Sequence, residues 1–375
     1  MRNKEIIIGC VATLLLTGLV MIYSNTAVSC GVGLTRNRWL AKQATWVALS
    51  AAAIIAFMFI DYHRLARYSR LILIATLTAL AALLVFGVRI NGAKRWFRIG
   101  PLSLQISEFA KIAVLLYVAD FVSRKHEVLG DLRQGFLPPV LVLGGTFGLI
   151  LLQPDFGTAV LIAAVGMVML IVSGVRWRHA LPFFAAAAPI MFLLMTMKAY
   201  RWRRLVVFLN PWADPQGSGY HAVQSLIALG CGGLTGVGPG RGLQKLGFLP
   251  ESETDFIFAI FGQETGFVGC VVLMAVFVAL FYAGIRVSRA APDVLGALLA
   301  LGVTVLIGMQ MFINIAVAAS AMPTKGISLP FVSFGGSSLL ALSVGIGILL
   351  NISRHCPRDG ALLVRGAKPV EGGRE

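Results

Sequence analysis

Within five positions, Glu251, Glu253 and Asp255 set three carboxylates against the start of a long apolar run, in a chain with only 16 acidic residues. A carboxylate at a membrane boundary is costly unless something pairs or uses it. Partial desolvation there raises its pKa and makes it a better general base. Asp255 is the last of the three, where water gives way to lipid, and the cluster is where the chemistry is expected to sit. A second constellation, Ser107-Glu108-Phe109-Ala110-Lys111, puts an acid and an ammonium three residues apart, on one face of a helix. Alone at the membrane centre each would cost about 2.5–3.5 kcal/mol on insertion scales. As a pair they either fix the helix or line a substrate cavity. A third, Gln153-Pro154-Asp155-Phe156-Gly157, gives Asp155 two readings, the N-cap of the next helix or a member of the site.

The elements that must hold these groups are membrane helices. Hydrophobic residues make up 58% of the chain and charged residues 13%, with a mean hydropathy of +0.84. Repeated apolar runs of about 20 residues predict an all-α polytopic membrane protein. Ten spans are expected, at 6–24, 40–60, 70–88, 107–123, 137–153, 158–174, 180–197, 255–284, 294–320 and 337–353. They would form one transmembrane domain over 1–353, with a large extracytoplasmic loop, about 199–254, between helices 7 and 8, and a basic cytoplasmic tail over 354–375. Pro154 and Gly157 split what would otherwise be one long helix over 137–174. The first run is too long for a signal-peptide core and leads into further spans, so it reads as an uncleaved helix. Five scattered cysteines have no metal-like spacing; Cys30 and Cys231 would share a side and could pair.

With both termini in the cytoplasm, cytoplasmic segments hold 17 of the 32 Lys and Arg and the opposite loops 13, Lys42 and Lys111 lying within spans. The excess favours this orientation. Ten of the 13 fall in two loops, Arg89 to Arg98 and the long 198–254 segment. Positive charge on the translocated side points to headgroups or to an anionic lipid or phosphate ligand. Lys94, Arg95, Arg201 and Lys325 are the candidate anion-binding residues. Tyr200 to Trp212 reads as an interfacial basic and aromatic stretch, and Gly217 to Leu229 as a short amphipathic helix. Glycine-rich Gly230–Gly242, with Arg241 and Lys245 beside it, is a weak phosphate-loop signal. The apolar but Pro- and Gly-broken stretch Met322–Ser338 suits a re-entrant loop lining a cavity. No nucleophilic triad, Walker motif or dinucleotide fingerprint is present, and no soluble domain exists to present the basic residues to a nucleic acid.

Read together, Gly18 to Ser24, Asn91-Gly92-Ala93-Lys94-Arg95-Trp96, Gln153 to Thr158, Leu249 to Ala259 and Leu329 to Ser338 resemble the SEDS family, whose members are FtsW, RodA and SpoVE. The matches run in order over about residues 9–353. Met322-Pro323-Thr324-Lys325-Gly326 is more similar to the division and sporulation branch, FtsW above all, than to the elongation branch. Gln263 departs from the family's paired glutamates, and Gly238–Gly242 from its usual loop.

The resemblance implies a ten-helix peptidoglycan glycosyltransferase that polymerises lipid II into β-1,4 glycan on the outer face of the bacterial cytoplasmic (inner) membrane, in septal synthesis. Asp255 matches the family's essential aspartate, Glu108 and Lys111 its polar pair, and Asp155 its Gln-Pro-Asp motif. Asp255 would take the proton of the acceptor 4-hydroxyl, with Lys94, Arg95, Arg201, Lys325 or a divalent cation, Mg²⁺ or Mn²⁺, stabilising the leaving pyrophosphate. A class B penicillin-binding protein and other division proteins would be its partners. Two rivals stand beside this reading: a flippase for the lipid-linked precursor, against which no inverted repeat is found, and a non-catalytic scaffold.

Overall fold

The computed structural model describes residues 2–29, 34–90, 93–99, 102–197 and 199–356. Its helices, in chain order, are α1 (Arg2–Ser29), α2 (Leu34–Phe59), α3 (Tyr62–Arg67), α4 (Ser69–Phe86), α5 (Ile106–Arg124), α6 (Leu137–Leu152), α7 (Phe156–Val172), α8 (Trp177–Thr196), α9 (Ala199–Leu209), α10 (Tyr220–Gly232), α11 (Ile257–Ala290), α12 (Val294–Ala318) and α13 (Gly336–His355). Eight of the described helices are long and apolar enough to cross a membrane: α1, α2, α4, α6 together with the π-helical turn Leu132–Phe136 that leads into it, α8, α11, α12 and α13. This is a multi-pass membrane protein. Two helices at other expected spans fall short for different reasons. α7 has only 17 residues, and α5 carries Glu108, Lys111, Asp120 and Arg124. The long segment before α11 folds into α9 and α10, at the places where the basic-aromatic stretch and the short helix were expected.

The expectation of an all-α chain is corrected between α4 and α5. There β1 (Val88–Ile90), β2 (Ala93–Ile99) and β3 (Leu102–Gln105) form an antiparallel sheet with β2 in the centre. Arg89 pairs with Lys94 and Trp96 with Gln105. The segment is too polar to enter lipid as a helix, and its backbone groups still need partners. Pairing with itself supplies them.

The core lies around α12, which packs on α5, α7, α11 and α13. α2 and α13 run parallel, Gly336 against Trp46 and Gly347 against Phe57. α8, by contrast, is exposed along most of its length. At the end of the bundle away from Asp255, Asp61 caps α3 and Asp293 caps α12. His63 lies between them, Nδ1 2.9 Å from Asp61 and Nε2 2.7 Å from Asp293. The Tyr62 hydroxyl donates to Asp293, and the Asn351 side chain of α13 accepts from the Tyr62 amide and donates to the Met58 carbonyl. Three connections are thereby clasped together. The tail beyond Cys356 and Cys30 lie outside the described residues, and Cys231 is a free, exposed thiol.

Candidate active site

α11 is not one straight helix. At Gly266 the backbone leaves the helical region (φ 69°, ψ −170°), a left-handed conformation that side chains disfavour. A break inside an apolar helix strands amides and carbonyls that lipid cannot satisfy. The glycine-rich loop after α10 satisfies them: Phe267 and Val268 donate to the carbonyls of Gly233 and Leu234 at 2.9 and 3.1 Å, and Val237 and Gly238 donate to those of Gln263 and Glu264 at 3.0 and 3.1 Å. The approach is so close that a Cβ on Gly236 would lie 2.1 Å from the Glu264 carbonyl oxygen. These glycines therefore serve the helix break, which corrects their reading as a phosphate loop. Lys245 is likewise drawn inside. Its Nζ lies 2.6 Å from Glu264 Oε1 and 2.9 Å from Ser24 Oγ, fully buried.

Asp255 precedes this half-helix in a tight turn, where the amides of Thr254, Asp255 and Phe256 donate to the Glu251 carbonyl at 3.1–3.3 Å. The turn is stitched to the irregular loop between α12 and α13. The Phe334 amide donates to the Glu253 carbonyl at 2.8 Å, and Ser333 Oγ donates to the Thr254 carbonyl at 2.6 Å while accepting from the Leu329 amide. Asn314 of α12 donates to the carbonyls of both Asp255 and Ile327. Ile327, Leu329, Phe331 and Val332 are buried, as expected for non-helical backbone enclosed by protein. Gly326 backs the Asp255 carboxylate so closely that a Cβ there would stand 3.1 Å from Oδ2.

The carboxylate is half-buried. Burial, with help from the Glu251 and Asp155 charges and against Arg204 and Arg95, pushes its pKa up to about 7. The neighbouring Lys325 ammonium is half-buried over the Phe156 ring at 5.6 Å, and burial holds its pKa below the usual lysine range. Asp255, Asp155, Arg95 and Lys325 are thus gathered at one end of the bundle. Asp155 does cap α7, accepting from the Thr158 amide, and also accepts from Gln105. Arg95 reaches the carbonyls of Gln153 and Pro154 at the end of α6. Lys94 goes elsewhere, donating to Leu84 and Val85 at the end of α4, a position that suits a cation. Glu108 and Lys111 bond each other at 2.7 Å, buried, in the first turns of α5. The Arg201 side chain lies outside the described residues.

Arg204 and His221, also at the site, were not singled out from sequence. Arg204, in the basic stretch of α9, donates to the Thr324 carbonyl at 3.1 Å. His221 of α10 stacks on Phe256, the residue after Asp255, and burial lowers its pKa, keeping it neutral. The signal for Arg204 was its helical spacing from Arg201; His221 had none. No three His, Cys, Asp or Glu converge on a metal site among the described residues. A divalent cation here would have to take most of its ligands from substrate phosphates.

The family model of the cell cycle proteins FtsW, RodA and SpoVE matches residues 4–357. Stage V sporulation protein E of Bacillus subtilis is 37% identical over 94% of this chain and 98% of its own length. A probable peptidoglycan glycosyltransferase FtsW of Trichlorobacter lovleyi is 40% identical over 90% of this chain and 89% of its own. Among solved structures, a chain of a peptidoglycan synthase complex that coordinates polymerization and crosslinking superposes with a TM-score of 0.78 at 29% identity, over 94% of this chain and 98% of that one. The rod shape determining protein RodA of Thermus thermophilus gives 0.68 at 28%, over 94% and 97%. On the extent of these matches, the chain belongs to the FtsW/RodA/SpoVE family of cell cycle proteins.

Proposed function

We propose that this protein is a peptidoglycan glycosyltransferase that polymerises lipid II on the outer face of the cytoplasmic membrane, in septal synthesis. One observation carries the chemistry: Asp255 is a half-buried carboxylate, pinned by its backbone between two loops, with a pKa pushed up to about 7. Such a group is matched to accept a proton near neutral pH. As the acceptor's 4-hydroxyl oxygen attacks the donor's anomeric carbon, Asp255 takes the hydroxyl proton. The bond from that carbon to the pyrophosphate oxygen breaks, and the electron pair leaves with the lipid pyrophosphate. A single displacement turns the α-linked donor into a β-1,4 product. The leaving group bears its own charge, so it needs cations rather than a strong acid. Lys325, Arg204 and Arg95 are the nearest candidates. Lys94 and Arg201 remain proposed contacts for the lipid pyrophosphate, and the buried pair Glu108 and Lys111 is proposed to line the substrate's path.

In this reading α5 and α7 also cross, making ten spans in one domain over 1–353. Both termini and the basic tail face the cytoplasm, and Asp255 and the segment 199–254 face outward. A class B penicillin-binding protein would crosslink the strand, as the likeness to a chain of a peptidoglycan synthase complex suggests. The test is polymerisation of purified lipid II by the full chain with that partner. Wild type should build glycan strands and Asp255→Asn should not. Normal polymerisation by Asp255→Asn would refute the base assignment. Lipid movement across vesicles without polymer from the wild type would make the protein a transporter.

A further inference from the structure

Asn314 lies one turn from the end of α12 and is buried. Its Nδ2 donates one hydrogen bond to the carbonyl of Asp255 at 2.9 Å and a second to the carbonyl of Ile327 at 2.8 Å. Both partners are acceptors, so the amide nitrogen must face them; the amide oxygen would be repelled. One NH₂ group thus spends its two protons on the two loops that meet at the site. Ile327 follows Gly326, whose backbone abuts the Asp255 carboxylate. Beside the direct bonds from Phe334 to Glu253 and from Ser333 to Thr254, the Asn314 amide ties the carbonyls of Asp255 and Ile327 to each other from α12, an element of the bundle core.

The other half of the amide points to the same role. Asn314 Oδ1 is buried without a hydrogen-bond partner. A buried, unpaired oxygen carries a desolvation penalty. A position chosen for packing alone would hold an apolar side chain. Here the penalty is tolerated for what the nitrogen does.

We propose that Asn314 is a positioning residue for glycosyl transfer: by holding the carbonyls of Asp255 and Ile327 together, its amide sets the depth at which the Asp255 carboxylate meets the acceptor hydroxyl. This rests on Asp255 as the base. It acts through backbone, so it touches neither substrate nor carboxylate. Losing it lets the Asp255 turn part from Gly326 and the carboxylate move towards water, among the charges of Glu251, Asp155, Arg204 and Arg95 that already face it.

The test is lipid II polymerisation by the full chain with its crosslinking partner, for Asn314→Ala, Asn314→Ser, Asn314→Asp and Asp255→Asn. Rates are normalised to the folded fraction from thermal melting. In Asn314→Ala, kcat should fall roughly tenfold to a hundredfold, as small misplacements of reacting groups do. KM should stay within about twofold, and the acid limb of kcat/KM should move to lower pH as the carboxylate hydrates. Asn314→Ser keeps one donor and should fall between, which serves if the alanine variant fails to fold. Asn314→Asp cannot donate when ionised and should lose as much as alanine. If Asp255→Asn is inactive while Asn314→Ala and Asn314→Ser keep the wild-type kcat and acid limb, the positioning role is refuted alone. If Asp255→Asn keeps turnover, the base assignment fails and takes this proposal with it.

Discussion

Raising the pH from 6 to 8 should speed polymerisation by about an order of magnitude, and Asp255 is the reason. An ordinary aspartate, near 3.8, is fully ionised throughout this range, so its rate profile would be flat. With burial pushing Asp255 up to about 7, only about a tenth of molecules carry the basic form at pH 6, and about nine-tenths do at pH 8. The shift corresponds to about 4 kcal/mol held against ionisation. Glu251 is the next contributor after burial, so Glu251→Gln should move the acid limb to lower pH. Glu251 is exposed, so this displacement should shrink as salt is added. The assay is kcat/KM for lipid II polymerisation between pH 5.5 and 8.5, with the partner present.

A second readout does not depend on turnover. A carboxyl whose folded pKa is raised lends stability that is complete below its ordinary value and lost as pH rises towards 7. Asp255→Asn should therefore melt above wild type at pH 8, and the gap should close as pH falls towards 4. A flat rate profile from pH 6 to 8, together with no melting gap at pH 8, would refute the reasoning.

Three further outcomes follow from the packing. Gly326→Val should reduce kcat sharply while leaving the melting temperature almost unchanged, because position 326 is exposed but a Cβ there crowds Asp255 Oδ2; a wild-type kcat in this variant would contradict the close approach. Glu264→Ala strands the buried Lys245 ammonium and should cost about 3–5 kcal/mol, read from chemical or thermal unfolding, whereas Lys245→Met with Glu264→Leu should recover most of it. His63 sits between Asp61 and Asp293. Burial opposes its protonation, but the hydrogen bonds and charges of the two carboxylates outweigh it and raise its pKa. The clasp should then contribute fully below about pH 6.5 and weaken as pH rises above it, so the melting difference between wild type and His63→Gln should shrink from pH 6 to pH 8.5.

The helical frame was legible because apolar runs and their breaks are local: Gln153-Pro154-Asp155 separates α6 from α7, although Gly157, expected to share in the break, lies inside α7, and Glu108 meets Lys111 at the helical spacing. The sheet at 88–105 was missed, although Asn91-Gly92 between two short runs is a strong hairpin signal, because a basic loop at a membrane edge invites a ligand reading first. Composition misled in the same way at Gly230–Gly242 and Lys245. Glycines that permit close approach do not say what approaches, and the acceptors on α11 lie more than 20 residues further along the chain. The cluster Glu251, Glu253 and Asp255 could be marked from its place at the start of an apolar run, and the family resemblance then picked out Asp255. Asn314, Ser333 and Gly326 could not, since their value lies in carbonyls and a carboxylate brought near them by tertiary structure.

The break at Gly266 also implies an order of assembly. A helix entering lipid alone keeps its hydrogen bonds by staying straight, and Phe267 and Val268 have no reason to give theirs up until Gly233 and Leu234 arrive with replacement carbonyls. The half-helix that follows Asp255 should therefore bend into place only after the preceding loop has crossed and docked, making the reactive end one of the last parts of the protein to form. In hydrogen exchange, the amides of Phe267 and Val268 should open together with those of Val237 and Gly238, as one unit separate from the rest of α11. Exchange of those four amides at unrelated rates would show that the bend precedes the loop.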